Sequence, residues 1–384
     1  MSNLCLSHRI FARAALACAL TVVVTGFEAQ AATADEMFYV GMHGTDIRIA
    51  RLDPETGKIT VGGVAASGPR ATWQAYDPRR QVLYSVDEAG NDGRSHGHVL
   101  AYRVTPGSGA LTMLNSVDAG GGGTTHLHLD ARSDTLLAAN YGSGSVASFP
   151  ILADGSLGPL ASLQQDVGTG PSPRQASPHA HWVTTDPTDR FALVADLGAD
   201  HVFAYPFDAA HHTLAMADPA AAYAGAPGSG PRHGVFGADG RRLYLLNEMD
   251  GTLVTLRWQA SPGRLTKINQ QSTASPAFKG APSVSELLLS PDGRFLYAGN
   301  RSENAILVYR LDARSGAPHL VQRIPSGEGP WSFAIDPSGR WLIVADRIAQ
   351  ALVSLRRDPA TGRLTDTGQR AAAPQPVAVT FVTP

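Results

Sequence analysis

Four short motifs contain the side chains best suited to acid–base and anion chemistry. They are His179-Ala180-His181, Arg232-His233, Asn247-Glu248 and Asn300-Arg301. Histidine can donate or accept a proton near neutral pH, and a carboxylate can accept one. Arginine is permanently cationic, and its forked donors suit carbonyl, carboxylate or phosphate oxygens. Together these groups could activate a water molecule and stabilise an oxyanion.

Each motif adjoins a copy of one recurring strand pattern. A turn with Asp, Pro or Gly is followed by an apolar strand that ends in Asp or Asn. The six copies end at Asp87, Asn140, Asp196, Asn247, Asn300 and Asp346. A period of about 50 residues suits a four-stranded β-propeller blade with generous loops.

The two chain ends supply the parts of one further blade. Residues 47–52, followed by a turn at 53–57, match the third strand and its turn in the other copies, and residues 38–41 look like a second strand. The missing first strand is provided by residues 377–382. We therefore predict an all-β, seven-bladed β-propeller with four antiparallel strands per blade, closed by pairing of the N- and C-terminal strands without a free sheet edge. No helical periodicity of useful length appears.

This architecture predicts where the motifs meet. If the first strand of each blade runs along the central channel from the top face, the antiparallel second strand returns to that face. The start of the first strand then lies beside the end of the second. The predicted pairs are Arg70 with Asp87 and Glu88; Thr125 and His126 with Asn140 and Tyr141; His179 and His181 with Asp196; Arg232 and His233 with Asn247 and Glu248; Ser285 and Glu286 with Asn300 and Arg301; and Trp331 with Asp346 and Arg347. This concave, charged rim is the predicted functional site.

Some of these rim residues have simpler structural explanations. Asp or Asn at a strand end often caps a turn, which is the alternative for Asn140, Asp196, Asn300 and Asp346. For the charged residues Arg232, Glu248, Glu286 and Arg301, the alternative is a set of structural ion pairs between neighbouring blades.

Residues 1–31 have the composition of a secretory signal peptide. Arg9 and Arg13 lie in a basic start, an apolar run follows from Ala14, and residues 29–31 form an A-x-A cleavage site. The apolar run is about 13 residues, whereas a spanning helix needs about 20. We predict cleavage near Ala31 and a single propeller domain over residues 32–384. A lipoprotein signal at Cys18 is the alternative.

The composition excludes several classes of site and partner. Both cysteines, Cys5 and Cys18, lie in the predicted signal peptide, so the mature chain has no disulfide, thiolate nucleophile or cysteine metal site. The net charge of −2 is close to balance. It predicts neither nucleic-acid nor membrane binding after signal cleavage. We expect a monomer or a weak homodimer.

Several segments resemble the propeller lactonase family, which includes the seven-bladed bacterial 6-phosphogluconolactonase and fungal carboxy-cis,cis-muconate cyclase. The segments are Ser177–His181, Ala195–Asp200, Gly230–His233, Leu243–Glu248, Ser285–Glu286 and Ser290–Arg301. The resemblance covers essentially the whole mature chain. It implies lactone chemistry at a site of one histidine, two arginines and one glutamate, which by motif are His181 (or His179), Arg232, Glu248 and Arg301.

The sequence departs from the family pattern on one side of the rim. A late Gly-x-x-Pro-Arg segment of the family reads Gly-Glu-Gly-Pro-Trp331 here, and a later Ala-Asn-Gln reads Ala-Asp-Arg347. One expected arginine is therefore missing from the first strand, and a basic group stands on the second strand instead. Substrate recognition could differ at this point.

Lactone hydrolysis assigns a role to each predicted catalytic residue. Glu248 would deprotonate the water if its pKa suits, Arg232 and Arg301 would stabilise the oxyanion, and His181 would protonate the leaving alkoxide. The predicted substrate-binding residues are His126, His179, Asp196, His233, Glu286, Trp331 and Arg347. A covalent serine mechanism is not expected, because no Gly-x-Ser-x-Gly occurs in a strand–helix context. No cofactor is predicted. A divalent metal stays open, since His179, His181 and the rim carboxylates could group, although their spacing matches no strong ligand motif.

The predicted compartment narrows the substrate. The signal peptide is in the style of Gram-negative bacteria, which points to the periplasm. Phosphorylated sugar lactones arise in the cytoplasm, so the expected substrate is an unphosphorylated sugar δ-lactone such as glucono-1,5-lactone. The alternatives are a 6-phosphogluconolactonase, a muconolactone-type cyclase or hydrolase, and a non-enzymatic propeller that binds sugars or proteins.

Overall fold

The computed structural model of the protein describes residues 35–44, 46–216 and 221–382. The predicted signal peptide, residues 1–31, lies outside them and stays a prediction. The described residues form seven antiparallel sheets, of which six have four strands and one has five. The only helix among them is a three-residue 3₁₀ helix, Pro173–Gln175. The predicted all-β, seven-bladed propeller is confirmed.

The strands are numbered along the chain, and blades 1–6 each begin at the channel. The chain opens with β1 (Glu36–Met42), β2 (Asp46–Leu52) and β3 (Ile59–Ser67). Blade 1 contains β4 (Gln74–Asp77), β5 (Val82–Asp87), β6 (His98–Val104) and β7 (Leu111–Asp118). Blade 2 contains β8 (Thr124–Asp130), β9 (Thr135–Asn140), β10 (Ser145–Pro150) and β11 (Ser162–Gln165). Blade 3 contains β12 (Ala180–Thr185), β13 (Phe191–Asp196), β14 (His201–Asp208), β15 (Thr213–Leu214) and β16 (Tyr223–Ala224). Blade 4 contains β17 (Pro231–Phe236), β18 (Arg242–Asn247), β19 (Thr252–Gln259) and β20 (Arg264–Ser272). Blade 5 contains β21 (Val284–Leu289), β22 (Phe295–Asn300), β23 (Ala305–Leu311) and β24 (Pro318–Pro325). Blade 6 contains β25 (Pro330–Ile335), β26 (Trp341–Asp346), β27 (Ala351–Arg357) and β28 (Leu364–Ala372), and β29 (Pro376–Phe381) ends the chain.

The two ends of the chain share blade 7, as predicted. Its strand order is β29-β1-β2-β3, so the last strand of the chain lies at the channel. β29 pairs antiparallel with β1 from Phe38 opposite Phe381 to Gly41 opposite Ala378. The rings of Phe38 and Phe381 pack with their centroids 5.0 Å apart. The N-terminal sheet therefore gains its channel strand only from the C-terminus.

The second strands form the centre of each blade interface. Every residue of β9, β22 and β26 is buried, because each blade packs between two others. This explains why these strands are continuous apolar runs rather than alternating ones. The fourth strands β20 and β28 lie at the perimeter and are mostly exposed. The core accordingly lies between blades rather than along a single axis.

Buried tyrosines of the second strands link neighbouring blades. Their hydroxyls donate to glycine carbonyls in the outer turn of the next blade: Tyr39 to Gly109 (2.6 Å), Tyr84 to Gly155 (2.9 Å), Tyr244 to Gly316 (2.7 Å) and Tyr297 to Gly362 (2.8 Å). These glycines all have positive φ, and a Cβ on Gly362 would lie 2.3 Å from the ring of Phe295. At the junction of blades 6 and 7, Nε1 of Trp341 donates to the carbonyl of Pro54 instead, at 2.9 Å.

A register shift interrupts the start of six channel strands. The residues that the shift leaves unpaired are Thr125, His181, Arg232, Ser285 with Glu286, Trp331 and Val377. A β-bulge re-aims a side chain and terminates regular pairing. Because the bulges recur at the same height in each blade, they place these residues around one mouth of the channel.

We expect the tyrosine links to contribute measurably to stability. Tyr84→Phe removes one buried hydrogen bond and leaves the carbonyl of Gly155 unsatisfied, so the free energy of unfolding should fall by about 1–2 kcal/mol. Tyr309→Phe is the matched control, because Tyr309 is equally buried but its hydroxyl has no partner among the described residues. Denaturant unfolding of both variants measures the difference. An equal effect of the two substitutions would contradict the linking role.

Candidate active site

The bulged strand starts surround a cavity of about 190 Å³ at one mouth of the channel. Seven of the predicted site residues line it: His181, Arg232, His233, Glu248, Glu286, Arg301 and Trp331. A second, larger cavity of about 590 Å³ continues along the channel strands, and Trp73, Glu286 and Ser332 line both. The predicted rim is therefore present, and the channel extends beneath it.

A repeated backbone hydrogen bond fixes the second side of the rim. In six blades, the residue after the terminal Asp or Asn of the second strand donates its N–H to a carbonyl just before the first strand. The pairs are Glu88 to Arg70, Tyr141 to Gly123, Leu197 to His179, Glu248 to Gly230, Arg301 to Ser283 and Arg347 to Gly329. The predicted proximity of first-strand starts and second-strand ends is thus confirmed in detail.

Glu248 is the centre of the charged cluster. Its Oε2 accepts from Nη1 of Arg232 at 2.9 Å, and its Oε1 accepts from Nη1 of Arg174 at 2.9 Å. Nη2 of Arg301 lies 3.1 Å from the same Oε1. Glu248 and Arg232 are 5% and 4% exposed, so their ion pair is shielded from bulk water, whereas the side chain of Arg174 is half exposed. One carboxylate therefore joins three guanidinium groups that come from three different blade regions.

The cluster determines the ionisation of its members. Burial alone would raise the pKa of Glu248, but Arg232, Arg301 and Arg174 outweigh it and lower the pKa to about 2. Burial and the neighbouring Arg232 lower the pKa of Arg301 to about 10, so that side chain stays cationic at neutral pH. A carboxylate with such a low pKa is a weak base. The expected role of Glu248 in deprotonating water is therefore disfavoured by its own ion pairs.

Arg232 also determines the tautomer and the protonation state of His181. Nη1 of Arg232 contacts Nε2 of His181, and a guanidinium can only donate, so Nε2 is the acceptor and the hydrogen is on Nδ1. Burial and Arg232 lower the pKa of His181 well below its usual range. At neutral pH this imidazole is neutral. It can donate a hydrogen bond, but the expected protonation of the leaving alkoxide is disfavoured.

Trp331 forms an aromatic wall beside the arginines. The guanidinium carbons of Arg301 and Arg347 lie 4.6 Å from its ring centroid, and that of Arg232 lies 5.6 Å away. Such distances are within the range of cation–π attraction. Arg347 reaches the site through this stacking, although it is not part of the cavity lining. The basic group predicted on the second strand thus lies beside the tryptophan that replaces the expected arginine.

A second layer lies directly below the charged cluster. Nδ1 of His233 is 2.8 Å from Oε1 of Glu286 on the next blade. The ring of His233 packs edge-on against Trp73 and His181, each with centroids 5.3 Å apart. The ring of His126 packs at a tilt against Trp73, with centroids 4.3 Å apart, and it lines the larger cavity rather than the rim. The side chain of His126 therefore lies one layer further down the channel than the predicted substrate-binding rim.

His179 and Asp196 do not line the cavity, in contrast to the prediction. The His179 ring stacks on Tyr141 with centroids 4.5 Å apart, and its Nδ1 bonds the Tyr141 carbonyl. Oδ1 of Asp196 accepts from the backbone N–H groups of His179 and Ala199. Both residues shape the loop behind the rim. Asp196 thus caps the turn at the end of its strand, which is the structural alternative given for it in the sequence analysis.

Arg174 is the main site residue that the repeat pattern does not reveal. It lies in the 3₁₀ helix of the loop between blades 2 and 3, which has no counterpart in the repeats. The helix has a capping box of Ser172 and Gln175, and that S-x-x-Q spacing is the one local clue in the sequence. Nη2 of Arg174 also contacts the hydroxyl of Tyr141 at 3.4 Å, so the loop covers part of the rim.

The described residues provide no grouping of three or more His, Cys, Asp or Glu side chains suited to hold a metal ion. Within the same residues, no helix has the length and apolar character needed to cross a bilayer.

The arrangement at the rim favours the binding of anionic oxygen, since three arginines face one glutamate. Nδ1 of His181 and Nε of Arg301 are buried and have no hydrogen-bond partner among the described residues.

Comparisons with known proteins agree with the fold. The family model described as lactonase, 7-bladed β-propeller, matches residues 31–381. A 6-phosphogluconolactonase of Bacillus subtilis is 31% identical, over 90% of this chain and 98% of the relative. A 6-phosphogluconolactonase of Formosa agariphila is 30% identical, over 84% and 91%. The structure of a periplasmic gluconolactonase from Pseudomonas aeruginosa superposes with a TM-score of 0.84 at 33% identity, covering 91% of this chain and 99% of that one.

We expect Glu248 to stabilise the folded protein in a pH-dependent way. Glu248→Gln leaves buried Arg232 without its counter-charge, so the free energy of unfolding should fall by about 3–5 kcal/mol at pH 7. The pKa of Glu248 falls from its ordinary 4.5 to about 2 on folding, so its contribution is complete above about pH 4.5 and is lost as the pH falls towards 2. Denaturant unfolding between pH 3 and 7 measures this trend.

The matched control is Glu328→Gln, because Glu328 is exposed and forms no ion pair among the described residues. Its stability difference from the wild type should be small and independent of pH. A Glu248→Gln difference that grows as the pH falls would contradict the ion-pair interpretation.

Proposed function

The chain belongs to the lactonase family of seven-bladed β-propellers, and we propose that it hydrolyses an unphosphorylated sugar δ-lactone, such as glucono-1,5-lactone, to the aldonic acid in the periplasm. The family makes it a lactone-hydrolysing enzyme, a carboxylic-ester hydrolase. A non-enzymatic binding propeller is therefore set aside. The choice of lactone, the compartment and the role of each residue are the content of the proposal.

The observation that carries the proposal is the group of three guanidiniums around Glu248. Around Glu248 three positive charges face one negative charge, so this cluster favours a substrate group that becomes anionic. Two more carboxylates, Glu88 and Glu286, line the same cavity. Attack of water on a lactone carbonyl places negative charge on the carbonyl oxygen. Donors that are fixed in advance in a water-poor site stabilise such an oxyanion strongly. We assign this role to Arg232 and Arg301.

Glu248 acts in this proposal as the residue that holds the cations in place. Its two oxygens fix the Nη1 atoms of Arg232 and Arg174, which keeps the donors oriented before substrate arrives. Donors that are fixed in advance stabilise the transition state more than flexible charges do, because they need not reorganise during the reaction. Trp331 presents an apolar wall that could pack against the sugar ring.

The preference for an unphosphorylated lactone rests on two supports. The predicted signal peptide places the mature chain outside the cytoplasm, and the structural relative from Pseudomonas aeruginosa is a periplasmic gluconolactonase. The second candidate is a 6-phosphogluconolactonase, the name that two relatives at 30–31% identity share. Arg347 favours this alternative in one respect, since it forms no ion pair among the described residues and could meet a phosphate.

Purified mature protein should accelerate acid release from glucono-1,5-lactone above the spontaneous rate, as followed with a pH indicator. The corresponding 6-phosphate should give a lower kcat/KM. No excess hydrolysis of the unphosphorylated lactone, together with rapid hydrolysis of the phosphorylated one, would replace the first candidate by the second. A carboxylated muconolactone in the same assay tests the remaining alternative.

Arg301→Ala should lower kcat/KM about 10²–10³-fold, because it removes one oxyanion donor. Arg264→Ala is the control, since Arg264 is an exposed arginine on the perimeter strand β20 and should leave kcat/KM within about twofold. Equal activity of the two variants would refute the assignment of the oxyanion donors.

A further inference from the structure

His233 and Glu286 form a buried pair that the roles above do not use. They lie on the channel strands β17 and β21 of neighbouring blades, and they are 4% and 6% exposed. Their contact at 2.8 Å joins Nδ1 of the histidine to Oε1 of the glutamate. Both line the cavity immediately below the arginines.

The surroundings of Glu286 fix its orientation and the tautomer of His233. Oε1 of Glu286 also accepts from the backbone N–H of Leu287 at 3.0 Å, and Oε2 accepts from Oγ of Ser332 at 3.3 Å. A carboxylate accepts hydrogen bonds, so Nδ1 of His233 bears the hydrogen and Nε2 keeps its lone pair. Nε2 has no hydrogen-bond partner among the described residues. The pair therefore places a base, Nε2 of His233, in a fixed orientation at the cavity wall.

Other groups near the arginines are less suited to accept a proton. Glu248 is occupied by three arginines, and Nε2 of His181 already accepts from Arg232. Nδ1 of His126 accepts from the backbone N–H of Val183 at 3.4 Å, which puts the hydrogen of that ring on Nε2. Of the three histidines in this part of the channel, His233 alone combines a carboxylate partner with a free lone pair.

We propose that His233 is the proton acceptor of the hydrolysis and that Glu286 is its positioning residue. This inference rests on the proposed lactonase function. As the water oxygen bonds to the lactone carbonyl carbon, a water proton moves to Nε2 of His233, and the carbonyl electron pair moves to the oxyanion beside Arg232 and Arg301. When the ring C–O bond breaks, the proton on Nε2 moves to the departing ring oxygen. Lactone and water thus give one hydroxy acid, and His233 returns to its neutral form.

The electrostatic environment suits this cycle. The charged and titratable groups that face His233 are Glu286 on β21, His181 on β12, His126 on β8, and Arg232 and Glu248 of its own blade. Burial lowers the pKa of His233, Glu286 raises it, and Arg232 lowers it further, with a lowered value as the result. The imidazole is therefore neutral and able to accept a proton at neutral pH. Glu286 stabilises the imidazolium once it forms.

Steady-state kinetics on glucono-1,5-lactone between pH 4 and 8 tests the pair. His233→Asn should lower kcat about 10²–10⁴-fold with little change in KM, because it removes a general base rather than a binding contact. Added imidazole should restore part of the activity of His233→Ala. Glu286→Gln should lower kcat and move the acid limb of the kcat/KM profile to lower pH, since the carboxylate that raises the His233 pKa is gone. Circular dichroism and binding of the aldonate product verify that each variant is folded with an intact rim.

Two further variants make the outcome decisive. His128→Asn is the matched control, because His128 lies on the same strand as His126 but lines only the larger cavity, and its kcat should stay near the wild-type value. A larger loss of kcat in Glu88→Gln, which changes a further carboxylate of the cavity wall, than in His233→Asn would also overturn the inference. A His233→Asn variant within about threefold of wild type, or an unmoved acid limb in Glu286→Gln, would overturn the inference while leaving the lactonase function intact. Absence of turnover in the wild type would reject the proposed function itself, and with it this role.

Discussion

The single negative charge of Glu248 is what allows three guanidinium groups to converge on one point of the cavity wall. Two like charges about 4 Å apart near a protein surface repel each other by about 4 kcal/mol, so the arginines would not converge without a shared counter-charge. The same ion pairs make Glu248 a poor base. In our interpretation, the two buried carboxylates therefore have different roles. Glu248 organises the cations, and Glu286, which faces a histidine instead of an arginine, supports proton transfer.

The bulges at the channel strands explain why the functional residues occur as neighbours in the sequence. In a regular strand, consecutive side chains point to opposite faces. The irregular pairing at Arg232 lets it reach Glu248 while His233 reaches Glu286. Trp331 and Ser332 show the same division between the rim and the layer below it. One inserted residue per strand thus produces a two-layered site from a simple repeat.

The repeat and the ring closure could be predicted from the sequence because both depend on local strand patterns and on the spacing of turns. The opposition of strand starts and strand ends followed from antiparallel pairing alone, and it brought seven of the predicted residues to one cavity. Arg174 was missed because its loop lies outside the repeat. The weak basicity of Glu248 and the neutral state of His181 were also missed, since both depend on side chains contributed by other blades. His179 was misplaced because its ring turns back onto Tyr141 rather than into the channel.

The closed ring has a consequence for how the protein loses its structure. In an open array of repeats, the terminal units can fray one by one, because each has a single neighbour. In this propeller the pairing of β29 with β1 gives every blade two neighbours, and no blade can detach without breaking two interfaces at once. Unfolding should therefore be strongly cooperative, with few partly folded species exposed to proteases. A site assembled from several blades then persists as long as the whole ring does.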